Sequence, residues 1–194
     1  MNAIDFVEMA ATQSRNATLS LVSNLNREQL TWRAGPEANP VGFLYLLLFG
    51  YDDDERRRLS DFTCTALQLA NFWQDVRRDW DKGRVYLPLE DLERFGYTEE
   101  ELARGVCNQA FRDLMAFQVE RAQALFEQGL PLVEMLEGTA RLHVKLFSLG
   151  GMRVLDAIRA QGYDVLSKRP TVTGRRKAWL LTKTYLGMKL TRQI

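Results

Sequence analysis

The sequence predicts an all-α fold, and three observations carry that expectation. Apolar residues recur near the helical period of about 3.6 residues over long stretches. Alternating runs bounded by turn pairs, the mark of strands, are not evident. Only five prolines, at positions 36, 40, 88, 131 and 170, punctuate the 194 residues.

Residues 1–31 are weakly amphipathic, with Phe6, Met9 and Ala10, then Leu19, Val22 and Leu25, suggesting one or two modest helices. Gly35, Pro36 and Pro40 form a breaker region. An apolar helix is expected from Val41 to Phe49, ended by Gly50. The acidic run Asp52-Asp53-Asp54-Glu55 reads as a solvated loop and helix-start charge cluster. A long helix follows from Leu59 to Asp81, and Lys82-Gly83 closes it as a cationic and glycine cap. Val85 to Pro88 is extended, because a proline disfavours helix at the residue before it. A short helix then runs to Arg94 and stops at Gly96. Thr98 with Glu101 is a capping box that opens a helix from Glu99 to Arg104. The stretch from Asn108 to Gln128 carries a buried stripe of Phe111, Leu114, Met115, Val119, Ala122 and Phe126. Pro131 starts the next helix, Gly138 marks an interruption, and Leu142 to Gln161 is helical again. Tyr163 to Thr173 is a loop, and a basic helix closes the chain.

The hydrophobic share of 46% and the charged share of 26% are ordinary for a soluble globular domain. The net charge of +1 gives no global field that would attract nucleic acid. Cys64 and Cys107 make no metal-type spacing, and a disulfide framework is not expected. No signal-peptide pattern is present, and the longest apolar run, Val41 to Phe49, falls short of the roughly 20 residues that span a bilayer. The expectation is a cytoplasmic protein. The basic segment from Arg175 to Lys189, interleaved with Trp179, Leu180, Leu181, Tyr185 and Leu186, suits peripheral contact with an anionic membrane. An ordinary amphipathic terminal helix is the favoured reading of it.

The informative segment is residues 66–79. Gln68, Asn71, Asp75 and Asp79 recur at i, i+3, i+7 and i+11. At about 100° per residue they fall within an arc of about 80° on one helix face. Leu69, Trp73, Val76 and Trp80 recur at i, i+4, i+7 and i+11 beside it, so an oxygen-rich stripe adjoins an apolar one. Asp75 and Asp79 are like charges one turn apart, a mildly unfavourable pair on a bare helix. A bound cation reverses that sign. Magnesium takes oxygen ligands and often uses only one or two carboxylates. Arg78, Lys82 and Arg84 stand close enough in sequence to counter phosphate charge.

The run Gln68-Leu-Ala-Asn71, Asp75-Val-Arg-Arg-Asp79 and Gly83-Arg84-Val-Tyr86-Leu87-Pro88 resembles the second aspartate-rich motif of the squalene/phytoene synthase family. Asn39-Pro40-Val41-Gly42, Phe95-Gly96-Tyr97, Gly150-Gly151, Gly162-Tyr163 and Arg169-Pro170 resemble flanking parts of that family's pattern. The resemblance covers about Ala38 to Leu181, and its wording is most similar to the bacterial hopanoid-pathway branch of squalene and hydroxysqualene synthases. It implies an isoprenoid synthase-type helical bundle, a prenyl diphosphate substrate (farnesyl or presqualene diphosphate), Mg2+ as cofactor and partner enzymes of the hopanoid pathway. It also implies roles. Asp75 and Asp79 would be the catalytic, metal-binding carboxylates, with Asn71 a further metal ligand. Gln68, Asn71, Tyr163 and Arg84 would contact diphosphate, and Arg176 is a further phosphate candidate.

Residues 1–37 depart from the family's pattern. They contain no Asp-x-x-x-Asp, whereas the family's first aspartate-rich motif precedes the segment matched here. The expectation is a divergent N-terminal segment, 1–37, followed by the C-terminal part of a squalene/phytoene synthase-like domain, 38–194, in a bundle incomplete at its N-terminal side. Two functional readings stand open: a prenyl diphosphate-using synthase, or a catalytically inactive helical remnant that binds prenyl diphosphate or a partner. His143 and the tryptophans at 32, 73, 80 and 179 read as packing residues. No dinucleotide-binding fingerprint is present.

Overall fold

A computed structural model describes residues 40–172. Seven helices follow one another in this range: α1 Pro40–Leu48, α2 Asp54–Trp80, α3 Leu89–Phe95, α4 Glu99–Ala103, α5 Gln109–Gly129, α6 Pro131–Glu134 and α7 Gly138–Ala160. No strand occurs among the described residues. The helices expected before residue 40 and after Thr173 lie outside them, as do Trp32, Arg175, Arg176 and Trp179. The chain divides into two compact units, 1–61 and 62–194, with the boundary inside α2.

In the first unit, α1 ends at Leu48 and the chain turns through Gly50, whose φ of +77° is open to glycine and strained for other residues. The long helix then begins at Asp54, five residues before the expected Leu59. Its start is built from charge rather than apolar period. Asp53 acts as the cap, its carboxylate accepting from the Arg56 amide at 3.0 Å. Asp54 and Glu55 lie in the first turn, where the positive end of the helix dipole favours acids. Arg56, Arg57 and Arg58 pair with Asp53, Asp54 and Glu55 at 2.7, 3.2 and 3.0 Å.

The second unit holds a core in which α5 packs against α3, α6 and α7. Phe111, Leu114, Met115, Val119, Ala122 and Phe126, the stripe expected on this helix, are fully buried. Trp73 and Val76 of α2, Leu155 and Ile158 of α7, and Val165 and Leu166 beyond it join the same cluster. Gly151 is what lets α7 come close. A Cβ there would lie 2.2 Å from Phe126 Cζ and 3.0 Å from Leu67 Cδ2. The expected capping box is formed: the Thr98 hydroxyl accepts from the Glu101 amide, and the Glu101 carboxylate accepts from the Thr98 amide. Asn108 caps α5 in the same manner, its side chain accepting from the Phe111 amide at 3.0 Å. Gly138, expected as an interruption, is the first residue of α7. Cys64 and Cys107 are not joined in a disulfide, and burial pushes the Cys107 thiol up. None of the described helices is long and apolar enough to cross a membrane.

Candidate diphosphate and metal site

The site is built on the last three turns of α2, and the end of that helix positions its first pair. Past Trp80 the chain turns through Gly83 at φ +71°. The Gly83 amide bonds to the Trp80 carbonyl at 2.8 Å, and the Arg84 amide bonds to the Asp79 carbonyl at 2.9 Å. This is a Schellman closure, and it needs the left-handed conformation that glycine supplies. Its consequence is local and chemical. Arg84 is folded back over the helix end, and its guanidinium donates to the Asp79 carboxylate at 2.5 Å. Asp79 is only 9% exposed, so its charge is met by a nearby cation rather than by bulk water.

Asp75, one turn earlier, is met from far away. The guanidinium of Arg169 forks onto it, Nε to Oδ1 at 2.6 Å and Nη2 to Oδ2 at 2.9 Å. The same Nη2 donates to Gln74 Oε1 at 2.9 Å, and Gln74 Nε2 donates to the Pro170 carbonyl at 2.6 Å. Arg78 adds a 3.3 Å contact to Asp75 from the exposed side. The hydrogen bonds from Arg169 hold the Asp75 carboxyl below its ordinary range, and the same pairing holds the Arg169 guanidinium above its own. Among Asp75, Asp79, Arg78, Arg84 and Arg169 there are three guanidinium groups to two carboxylates. The cluster therefore keeps a surplus positive charge that can meet an anion.

Arg169 is delivered by a pinned loop. The chain leaves α7 through Gly162 and Tyr163, both in the left-handed region at φ +59° and +62°. The Tyr163 amide bonds to the Ile158 carbonyl at 3.0 Å and the Gly162 amide to the Arg159 carbonyl at 2.9 Å, a second Schellman closure. Val165 and Leu166 are buried. Asp164 accepts from the Ser167 amide at 3.0 Å, and Gln161 Nε2 donates to the carbonyls of Asp164 and Lys168. Arg112 donates to the Gly162 carbonyl.

The sequence-predicted residues thus divide. Asp75, Asp79 and Arg84 come together as a charged cluster, while Gln68 and Asn71 extend the same helix face and are exposed. Tyr163 is half-buried against the core, and among the described residues its hydroxyl has no hydrogen bond to either aspartate. Arg84 is bound to Asp79 rather than standing open. Among the described residues, the apolar stripe of α2 packs into the core. Trp73 and Val76 are buried, Leu69 and Trp80 pack on the same core, and the crevice beside Asp79 and Arg84 has a volume of about 10 Å³. That is space for about one water and not for a prenyl chain. Periodicity also missed three participants. Gln74 and Arg169 act across 94 and 95 residues of chain. Phe72 lies between the two stripes and stacks on Tyr86, ring centroids 3.9 Å apart. The signal that could have found Arg169 was its place in the Arg169-Pro170 dipeptide, which the sequence carries without a stated role.

The sequence profile of the squalene/phytoene synthase family matches residues 36–176. The chain belongs to that family. It is 39% identical to the 15-cis-phytoene synthase of Synechocystis sp. over 121 residues, 62% of this chain and 36% of that protein. It is 36% identical to the phytoene synthase of Thermus thermophilus over 124 residues, 64% of this chain and 43% of that protein. The crystal structure of squalene synthase HpnC from Alicyclobacillus acidocaldarius superposes with a TM-score of 0.63 at 48% identity, over 65% of this chain and 48% of that one. A dehydrosqualene synthase in complex with ligand superposes with a TM-score of 0.70 at 24% identity, over 79% of this chain and 54% of that one. The all-α isoprenoid synthase architecture is therefore that of the family. The chain spans about a third to a half of the length of these relatives.

Proposed function

We propose that this chain serves a prenyl diphosphate-using, head-to-head synthase of squalene or hydroxysqualene type, acting with magnesium on farnesyl or presqualene diphosphate. The observation that carries the reading is the paired aspartates of α2, each met by a guanidinium, inside the matched family segment. The squalene-type assignment is supported by the 48% identity to HpnC, against 39% to the Synechocystis phytoene synthase over a similar share of this chain.

The donor set fits magnesium. Asp75, Asp79 and Asn71 offer hard oxygens on one helix face, and the guanidinium against each carboxylate marks both as places where a cation is stabilised. Those three residues would hold the ion, with water and substrate phosphate completing its shell. Bound there, magnesium would draw charge from the leaving diphosphate. The chain's own residues do the rest of the electrostatic work. Arg84 and Arg78 flank the carboxylates and offer donors to phosphate oxygens. Gln68 extends the polar stripe by one turn. The Phe72–Tyr86 stack, with Tyr86 41% exposed, gives an apolar flank from which water is displaced as a prenyl chain approaches. Peripheral membrane contact through the basic Arg175 to Lys189 segment and association with hopanoid-pathway enzymes belong to the same proposal.

The test is separate incubation with isotopically labelled farnesyl, presqualene and a longer prenyl diphosphate in magnesium buffer, with and without NADPH as hydride donor. Labelled hydroxysqualene, formed when water quenches the cation, or squalene where NADPH supplies the hydride, lost in Asp75→Asn and Asp79→Asn, is the expected result. Labelled phytoene from a longer prenyl diphosphate, with no squalene-type product, would contradict the squalene assignment. The rival reading is binding without turnover. It is favoured by one observation: residues 1–37 carry no Asp-x-x-x-Asp to face the α2 pair. Magnesium-dependent substrate binding with no product would decide for the rival.

A further inference from the structure

The Asp75–Arg169 pair differs in kind from the Asp79–Arg84 pair. Arg84 lies five residues from Asp79 on the same helix end, so its pairing reports only local structure. Arg169 is separated from Asp75 by 94 residues and sits on the loop that leaves α7. Its fork engages both oxygens of the carboxylate and also the neighbouring Gln74, which in turn holds the Pro170 carbonyl. This network pins the end of the 164–172 loop to α2. Magnesium needs an oxygen of the same carboxylate, and a doubly charged ion at Asp75 would stand within a few ångströms of the guanidinium. The two cations therefore bid for one ligand.

We propose that Arg169 is a resident cation that magnesium must displace from Asp75, so that metal binding and docking of the 164–172 loop on α2 oppose each other. The inference rests on the reading of Asp75 as a magnesium ligand. Coupling of this kind is reciprocal: whatever the loop costs the metal, the metal costs the loop. Asp75 is 19% and Arg169 36% exposed at their side chains. Solvent screening at that exposure keeps the coupling at the low end of its usual range, about fivefold to tenfold in affinity. A purely structural Arg169, which merely orients Asp75, gives the opposite sign, since its removal would weaken metal binding.

Two measurements read this out without turnover. In calorimetric titration with magnesium chloride alone, Arg169→Gln binds about fivefold to tenfold more tightly than the unaltered chain, and Arg169→Lys, which keeps the charge but loses the fork, lies between them. In hydrogen exchange of the unaltered chain, saturating magnesium speeds exchange in the 164–172 peptide while the α5 peptides, buried in the core, stay unchanged. Equal or weaker binding by Arg169→Gln, or a loop whose exchange is slowed or unmoved by magnesium, overturns the proposal. If Arg169→Gln fails to fold, the exchange experiment on the unaltered chain still decides. Absence of magnesium binding in both chains sinks the reading of Asp75 as a ligand, and this proposal with it. Binding by the unaltered chain without tightening in the variant sinks the proposal alone.

Discussion

Replacing Gly151 by alanine sets two effects of opposite sign against each other. Gly151 is in the interior of α7, where alanine is favoured over glycine by about 1 kcal/mol. Against this, the added methyl would lie 2.2 Å from Phe126 Cζ, 2.9 Å from Phe126 Cε1 and 3.0 Å from Leu67 Cδ2. Phe126 is fully buried, so its ring can yield only by displacing its core neighbours or shifting within the core. Overpacking of this sort costs about 1–3 kcal/mol, and a contact this short places it at the upper end. Steric cost therefore wins by about 2 kcal/mol. For a chain of this size that is a fall in Tm of roughly 4–8 °C. Gly150 is the built-in control: a Cβ there meets nothing within 4 Å, so Gly150→Ala stabilises by up to about 1 kcal/mol. Paired urea and thermal melts of the two variants supply the assay. A Gly151→Ala variant as stable as the unaltered chain would refute the claim that this glycine sets the approach of α7 to α5 and α2.

The remaining expectations concern the site. Loss of labelled squalene or hydroxysqualene in Asp75→Asn and Asp79→Asn tests the proposed activity, and the opposed effect of Arg169→Gln on magnesium affinity tests the loop coupling. A pH series gives a further check on the clamp. The folded-state pKa of Asp75 is depressed, chiefly by its hydrogen bonds from Arg169. The stability this supplies is therefore fully present above the unfolded aspartate value of about 3.9 and is lost as pH falls through the lower folded value. Urea midpoints of the unaltered chain and of Arg169→Gln should accordingly differ at pH 7 and converge below about pH 4. A difference that persists unchanged to pH 2.5 would place the effect of Arg169 elsewhere than on the Asp75 charge.

Much of this molecule is written in local signals, and those were legible. Thr98 with Glu101 and Gly83 after Trp80 each act within a few residues of chain, and each forms the cap its spacing implies, while Asn108, expected as the first helical residue, turns out to be the cap of α5. The 3.6 period likewise exposed the buried stripe of α5 and the shared face of Asp75 and Asp79. The start of α2 was misplaced because its first two turns, Asp54 to Arg58, carry no apolar period. They are held by the Asp53 cap, the helix dipole and the ion pairs of Arg56, Arg57 and Arg58 with Asp52, Asp53, Asp54 and Glu55. Arg169 and Gln74 were illegible as site residues for a different reason. Their contacts close across more than 90 residues, and nothing in local spacing encodes which basic residue will meet which carboxylate. The α2 tryptophans were legible: read as packing residues, Trp73 is buried in the core and Trp80 packs against it.

The central claim is that the acidic face of α2 binds diphosphate through magnesium. Its most direct test is titration of the chain with inorganic pyrophosphate, followed by calorimetry, with and without magnesium. The account predicts binding that requires magnesium and that falls at least tenfold in Asp75→Asn and Asp79→Asn, as expected when a ligand to a charged centre is lost. Pyrophosphate binding of equal strength without the metal, or unmoved by either substitution, would contradict it.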